Sequence, residues 1–226
     1  MPELELGPLW VSLKLGVATV LCLLLIATPL AWWLAFTQSR FRAPVEAVVA
    51  LPLVLPPTVL GFYLLILLGP AGPIGRLWVE VTDSTLTFSF VGLVVASIVY
   101  SLPFAVQPLQ GAFEAVGRAP LEAAATLGAT ASRRFVKVAL PMAARGYLSA
   151  IVLVFAHTLG EFGVVLMVGG NIPGRTKVIS IAVFEHVETI DYAQAHILSA
   201  GLLVFSFLLL LLVFGLNRRI PIRYPV

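Results

Sequence analysis

Charge is scarce in this chain. Only 11% of its 226 residues are Asp, Glu, Lys or Arg, against 60% that are hydrophobic, and the mean hydropathy is +1.03. A water-soluble domain of this length covers itself with far more polar surface, so the composition excludes one and places the chain in a membrane. Cysteine is nearly absent. Cys22 stands alone inside an apolar run, which excludes an internal disulfide and a thiolate metal cluster. His186 and His196 are too scattered to form a metal site. Lysine occurs three times, never after a glycine, and the pattern G-x-x-x-x-G-K-[ST] is missing. The chain therefore lacks that phosphate-cradling loop, and neither ATP hydrolysis nor any catalytic residue is expected of it. Basic residues interleaved with aromatics on a soluble surface, the footprint of a nucleic-acid binder, are missing too. Neither an internal repeat nor a low-complexity linker divides the sequence, so residues 1–226 are expected to form one membrane domain.

Long apolar runs are what the chain does have. A span needs roughly 20 mostly apolar residues to cross about 30 Å of hydrocarbon. Five stretches meet that length: 9–36, 45–68, 88–109, 147–168 and 195–216. The predicted fold is thus all-α, integral to the membrane, with five helices. Glu3 and Glu5 precede the first stretch, where a secretory signal peptide carries positive charge, so that stretch is expected to be retained as a span. Pro29, Pro52, Pro56, Pro57 and Pro103 fall in or beside spans. A proline frees backbone groups that lipid cannot satisfy, so those stretches are expected to pack on protein or line a cavity. Trp10, Trp32, Trp33 and Trp78 fall near span ends, as interfacial anchors do.

Orientation follows from the cations. Ten of the 14 Lys and Arg residues lie in the 37–44 loop, the 110–146 loop and the tail, among them Arg218, Arg219 and Arg223. The other side has Arg76, Arg175 and Lys177, and Lys14 lies within the first span. That bias puts the N-terminus outside and the C-terminus in the cytoplasm.

The cytoplasmic stretch EAAATLGATASRRFVKVALP, residues 122–141, reads as two short helices. Pro120 suits a first turn, Glu122 favours the positive end of the helix dipole, the alanines propagate, and Gly128 stops. Ser132 is expected to cap the second helix and Pro141 to close it. Leu121, Ala124 or Ala125, and Gly128 recur on one narrow face whose small residues would let another backbone approach. Physics alone leaves two readings level: a helix laid into a partner's groove, and a surface loop folded on its own bundle.

The spacing goes further. Glu122-Ala123-Ala124, three residues, Gly128, nine residues, then Val138-Ala139-Leu140-Pro141 resembles the cytoplasmic signature of permease subunits of bacterial ABC importers, with Val138 where the family usually has Ile. Residues 51–65, 101–117 and 155–176 resemble the molybdate permease group within that superfamily. Sulfate/thiosulfate and tungstate permeases have similar segments and form the alternative. The resemblance implies a multi-pass protein of the bacterial inner membrane, working as a homodimer to import molybdate or a similar oxyanion. It also implies that region 118–141 docks, through Leu121 to Ala125, Gly128, Leu140 and Pro141, on two separate ATPase subunits that bind ATP-Mg. A periplasmic binding protein would deliver the anion, and this chain would hold no cofactor.

Within LGEFG, Glu161 lies in an apolar span, which is expensive unless the carboxylate is paired or faces water. His157, four residues earlier, shares its helical face and can pair with it. Gly160 and Gly163 permit close packing or local unwinding. Glu161 is read either as a buried structural or gate residue or as part of the translocation path, with Pro103 of the third span beside that path. A bare carboxylate would repel a dianion, which favours the first. In the outer loop, Asn171 opens a turn and Arg175 and Lys177 follow. They read as an attraction for anions or for an acidic patch on the binding protein, or as ordinary solvated charges. A channel or secondary transporter needs polar groups at mid-membrane in several spans, and this chain offers chiefly His157 and Glu161. An intramembrane enzyme needs more reactive groups than that pair supplies.

Overall fold

A computed structural model describes residues 6–219, and every regular element among them is helical. Glu3, Glu5 and Arg223, counted above, lie outside them. Three helices are long and apolar enough to cross a membrane: α1 (Leu6–Phe36), α5 (Phe90–Val116) and α12 (Tyr192–Arg219). Two bent pairs of shorter helices raise the number of candidate spans to five. At 1.5 Å per residue, α1 is about 46 Å long, which a bilayer accommodates by tilt.

The centre of the bundle is α1 against α5, with α9 (Ala144–Gly160) packed on both. Leu23, Ala27, Ala31 and Leu34 of α1 meet Ala105, Val106, Leu109 and Phe113 of α5 and Ala150 and Val154 of α9. Alanines one turn apart on α1 let the backbones close up, which lipid-embedded helices use in place of a hydrophobic drive. Helix α5 starts where the Ser89 hydroxyl accepts from the Gly92 N–H, and it continues to Val116, past the expected end at 109. Trp32 is not a plain interfacial anchor. It is half-buried, with Phe36, Phe113 and Phe135 around it at ring-centroid distances of 4.6–5.2 Å.

Two expected spans are broken. The 45–68 stretch forms α2 (Arg42–Val54) and α3 (Pro57–Leu68), bent by 113°. The cause is the Pro56–Pro57 pair: a residue preceding proline is pushed out of the helical region, and Leu55 and Pro56 both sit extended at ψ 136°. The 147–168 stretch likewise divides into the end of α9 and α10 (Gly163–Gly169), because Glu161 leaves the helix at ψ 129°. These breaks meet. A Cβ on Gly163 would lie 2.9 Å from Pro57 Cβ, and one on Gly61 would lie 2.9 Å from Met167 Cβ and 3.2 Å from Val164 Cα. Helices α3 and α10 therefore lie almost backbone to backbone, sealed by Leu64, Leu68, Val164 and Val168 with Leu86 and Ala96. Two short helices, α4 (Pro73–Thr82) and α11 (Ile179–Glu188), fall in the connections on the side poor in cations.

Candidate coupling surface and membrane lock

The stretch expected to be cytoplasmic folds as α6 (Ala119–Thr126), α7 (Ala131–Arg134), a π-helical turn (Phe135–Ala139) and α8 (Leu140–Met142). Helix α6 begins with Pro120 in its first turn and Glu122 close behind. It ends as Gly128 predicts. Gly128 takes φ +79°, its N–H reaches Ala125 C=O and the Ala129 N–H reaches Ala124 C=O. That pair of bonds satisfies the last carbonyls in a Schellman turn, which a left-handed residue makes possible.

The second helix departs from the sequence reading twice. Thr130, not Ser132, caps it, accepting from the Arg133 N–H. Pro141 does not close it, since the helix continues to Met142 and bends by 69° into α9 only at Ala143. Proline lacks the N–H for the preceding turn and its ring crowds the carbonyl four residues back. The π turn answers this, with the Leu140 N–H bonded to Phe135 C=O, five residues back. Leu140 is half-buried.

The face expected to be narrow and small is split between two environments. Leu121 is half-buried and packs on the central core, and Ala124 is half-buried as well. Glu122, Ala123, Ala125 and Gly128 are exposed, and so is Leu127, which is 88% accessible at the tip. Arg118 Nη2 donates to the Phe36 carbonyl at 3.0 Å, fastening the start of α6 to the end of α1.

Glu161 occupies the unwound corner between α9 and α10 and is 2% exposed. Two hydroxyls of α5 meet its carboxylate: Ser97 donates to Oε2 at 2.5 Å and Ser101 to Oε1 at 2.8 Å. His157 Nδ1 lies 3.4 Å from Oε1 and 2.9 Å from Ser101 Oγ. Ser101 has one proton, and giving it to Glu161 leaves His157 Nδ1 as the donor to Ser101. The imidazole is stacked on Phe104 at 4.2 Å and tilted against Tyr100 at 4.6 Å. The Glu161 backbone is held as well, since the Ser180 hydroxyl of α11 donates to its carbonyl. One residue thus ties α5, the α9–α10 corner and α11 together. The expected His157–Glu161 contact is present, while Pro103 is buried in α5. Ser97, Ser101 and Ser180 do not stand out in the sequence. The first two leave a signal there all the same, hydroxyls four residues apart on one face of an apolar helix.

In the loop between α10 and α11 Arg175 and Asn171 are exposed, but Lys177 is not a solvated cation. It is 7% exposed, with Nζ 2.8 Å from Glu185 Oε2, which also accepts from Asn171 Nδ2 at 3.1 Å. The Lys177 ammonium, and after it the Asn171 amide, hold the Glu185 carboxyl below the usual carboxylate range. Burying an ammonium requires such a partner, and α11 supplies it. No group of three His, Cys, Asp or Glu residues among the described residues is placed to hold a metal ion.

Residues 27–223 match the family model described as binding-protein-dependent transport system inner membrane component. The chain is 54% identical over 218 residues to the molybdenum transport system permease protein ModB of Azotobacter vinelandii, covering 96% of both chains. It is 36% identical over 190 residues to the sulfate transport system permease protein CysT of Escherichia coli K12, covering 82% of this chain and 68% of that one. Among solved structures, a chain of a bacterial alginate ABC transporter in complex with an alginate pentasaccharide-bound periplasmic protein superposes with a TM-score of 0.77. That match is 18% identical and covers all of this chain and 82% of the other.

Proposed function

This chain belongs to the family of binding-protein-dependent transport system inner membrane components, and on that premise we propose that it is the permease subunit of an ATP-driven molybdate importer. The observation that carries the reading is the 54% identity to a molybdenum permease across 96% of both chains. The sulfate relative matches less closely and over less of its length, so sulfate/thiosulfate is the weaker alternative, with tungstate a second anion for the same path. The protein is a multi-pass membrane protein; its place is the bacterial inner membrane. Two copies form the path, two ATPase subunits carrying ATP-Mg sit below, and a periplasmic binding protein delivers the anion.

In this reading α6 is the part the ATPase grips. Glu122, Ala123, Ala125, Gly128 and the exposed Leu127 form the contact, Leu121 and Ala124 seat the helix on its own bundle, and Leu140 and Pro141 carry its movement into α9. What supports this is the exposure of that face together with the continuous run from α7 through the π turn and one 69° bend. When the ATPase dimer closes on ATP, α9 is displaced as a lever. Glu161 and His157, at the lever's far end, lock the α9–α10 corner to α5, and the α3–α10 pair moves with that corner as the gate. Asn171 and Arg175 remain the outer-loop residues open to a binding protein, while Lys177 holds the loop from within.

The test is uptake of labelled molybdate by vesicles holding the chain with its ATPase, binding protein and internal ATP. Uptake that needs all three and survives excess sulfate is expected. Uptake without ATP, or equal inhibition by sulfate and molybdate, would sink the proposal.

A further inference from the structure

A pocket of about 520 Å³ opens between the inner end of α1 and the coupling region. Thr28, Pro29 and Trp32 of α1, Leu121 of α6, Arg134 of α7 and Phe135 form most of its wall. Arg134 is its one charged lining residue, and its Nε is buried without a hydrogen-bond partner among the described residues. We propose that this pocket seats the headgroup of an anionic phospholipid of the cytoplasmic leaflet, with the phosphate on the Arg134 guanidinium and the glycerol and upper acyl chain along Pro29, Trp32 and Leu121.

Depth, charge and wall chemistry agree on that occupant. Thr28 to Trp32 lie four to eight residues before the end of α1 at Phe36, or about 6–12 Å inward at 1.5 Å per residue, the depth of headgroups and first methylenes. The exposed Arg133 and Lys137 flank Arg134 and add positive potential where the leaflet is negative. A guanidinium is weakly hydrated and matches phosphate with paired donors, so it suits a half-buried phosphate better than an ammonium would. The transported oxyanion is a poor occupant. A small hydrated dianion needs several convergent donors, whereas this pocket offers one cation among apolar walls. The Thr28 hydroxyl accepts from Tyr147 at 3.1 Å and keeps its own O–H as a single neutral donor for the phosphate. Trp32 is held in place by its three aromatic neighbours and makes a fixed wall. The inference rests on the coupling region being cytoplasmic, as the proposed function has it.

The test uses the assembled transporter, ATPase subunits included, in phosphatidylcholine nanodiscs. A small equal fraction of brominated phosphatidylglycerol or brominated phosphatidylcholine is added, and tryptophan quenching is read. Stronger quenching by the anionic lipid is expected, and Trp32→Phe removes that excess. Arg134→Gln lowers it roughly fivefold, the worth of one basic residue beside anionic lipid, while Arg133→Gln leaves most of it. Ala131→Leu, which narrows the pocket while keeping the Arg134 guanidinium, lowers it as well and serves where Arg134→Gln does not assemble. Equal quenching by both lipids overturns the proposal, as does an excess that survives Arg134→Gln or Ala131→Leu. Loss of the excess on adding millimolar inorganic phosphate overturns it too, by making this a free-anion site. Failure of ATP-driven molybdate uptake by the same purified transporter reconstituted in closed vesicles strikes the proposed function and leaves the lipid result standing.

Discussion

Glu161 shows how one residue type can be legible while its surroundings are not. An acid in an apolar run has to be paired, and His157 one turn earlier is the visible partner. The stronger partners, Ser97 and Ser101, lie more than fifty residues away in sequence, where no local pattern reaches. Glu161→Gln keeps the shape but turns one acceptor into a donor facing a hydroxyl. It is expected to cost about 1–3 kcal/mol through the unpaired buried group, read as a lower melting temperature of the purified transporter. An unchanged melt would mean that the serines do not hold the carboxylate. Lys177 teaches the same lesson from the outer side. Its place after Asn171 and Arg175 reads as loop charge, and only α11 folding back puts Glu185 on it. Since Glu185 titrates below its unfolded range, the pair contributes fully above pH ~4.3 and its contribution is lost as pH falls through the depressed folded value. The melting difference between the wild type and Glu185→Gln should therefore be present at neutral pH and vanish in acid. A difference that persists below that range would contradict the ion pair.

At the scale of elements, punctuation residues are legible singly and much less so in combination. Gly128 ends α6 at φ +79°, and a Cβ placed there would meet nothing within 4 Å, so Gly128→Ala is strained by its backbone and not by a clash. The substitution is expected to cost about 1 kcal/mol locally. In transport it should leave ATP hydrolysis running while lowering the molybdate carried per ATP. Full coupling in both Gly128→Ala and Glu122→Ala would remove α6 from the proposed role. Pro141 was expected to stop its helix, but a π turn lets the helix pass. Pro56 and Pro57 were expected to lie in a span that packs on protein or lines a cavity; together they break that span into α2 and α3. The structure also gives Gly61 and Gly163 a purpose, the close approach of α3 to α10. Gly61→Ala meets the Val164 backbone and should cost about 1–3 kcal/mol by overpacking. A wild-type melting temperature for that variant would show that the two helices can part freely.

For the whole molecule, the proposed cycle needs α9 to transmit a push from the ATPase face to the Glu161 corner. Tying α5 to α9 by an engineered disulfide, Ser101→Cys with Thr158→Cys, uses hydroxyls now 3.4 Å apart. Under oxidation it should abolish uptake while ATPase association persists; uptake unchanged by a complete crosslink would show that this corner does not move. Sequence alone determined the membrane setting, the all-α class, the cation-rich side, the absence of a phosphate-cradling lysine loop and the existence and stop of α6. Each of these follows from composition or from interactions within a few residues, which a linear pattern records. Only the tertiary structure decided that the second and fourth spans break, that their breaks touch, that Leu121 faces its own bundle and that Glu161 and Lys177 are closed by distant partners. Those outcomes depend on which backbones can approach closely and on where a buried charge finds its donors, and neither is set until the helices have packed.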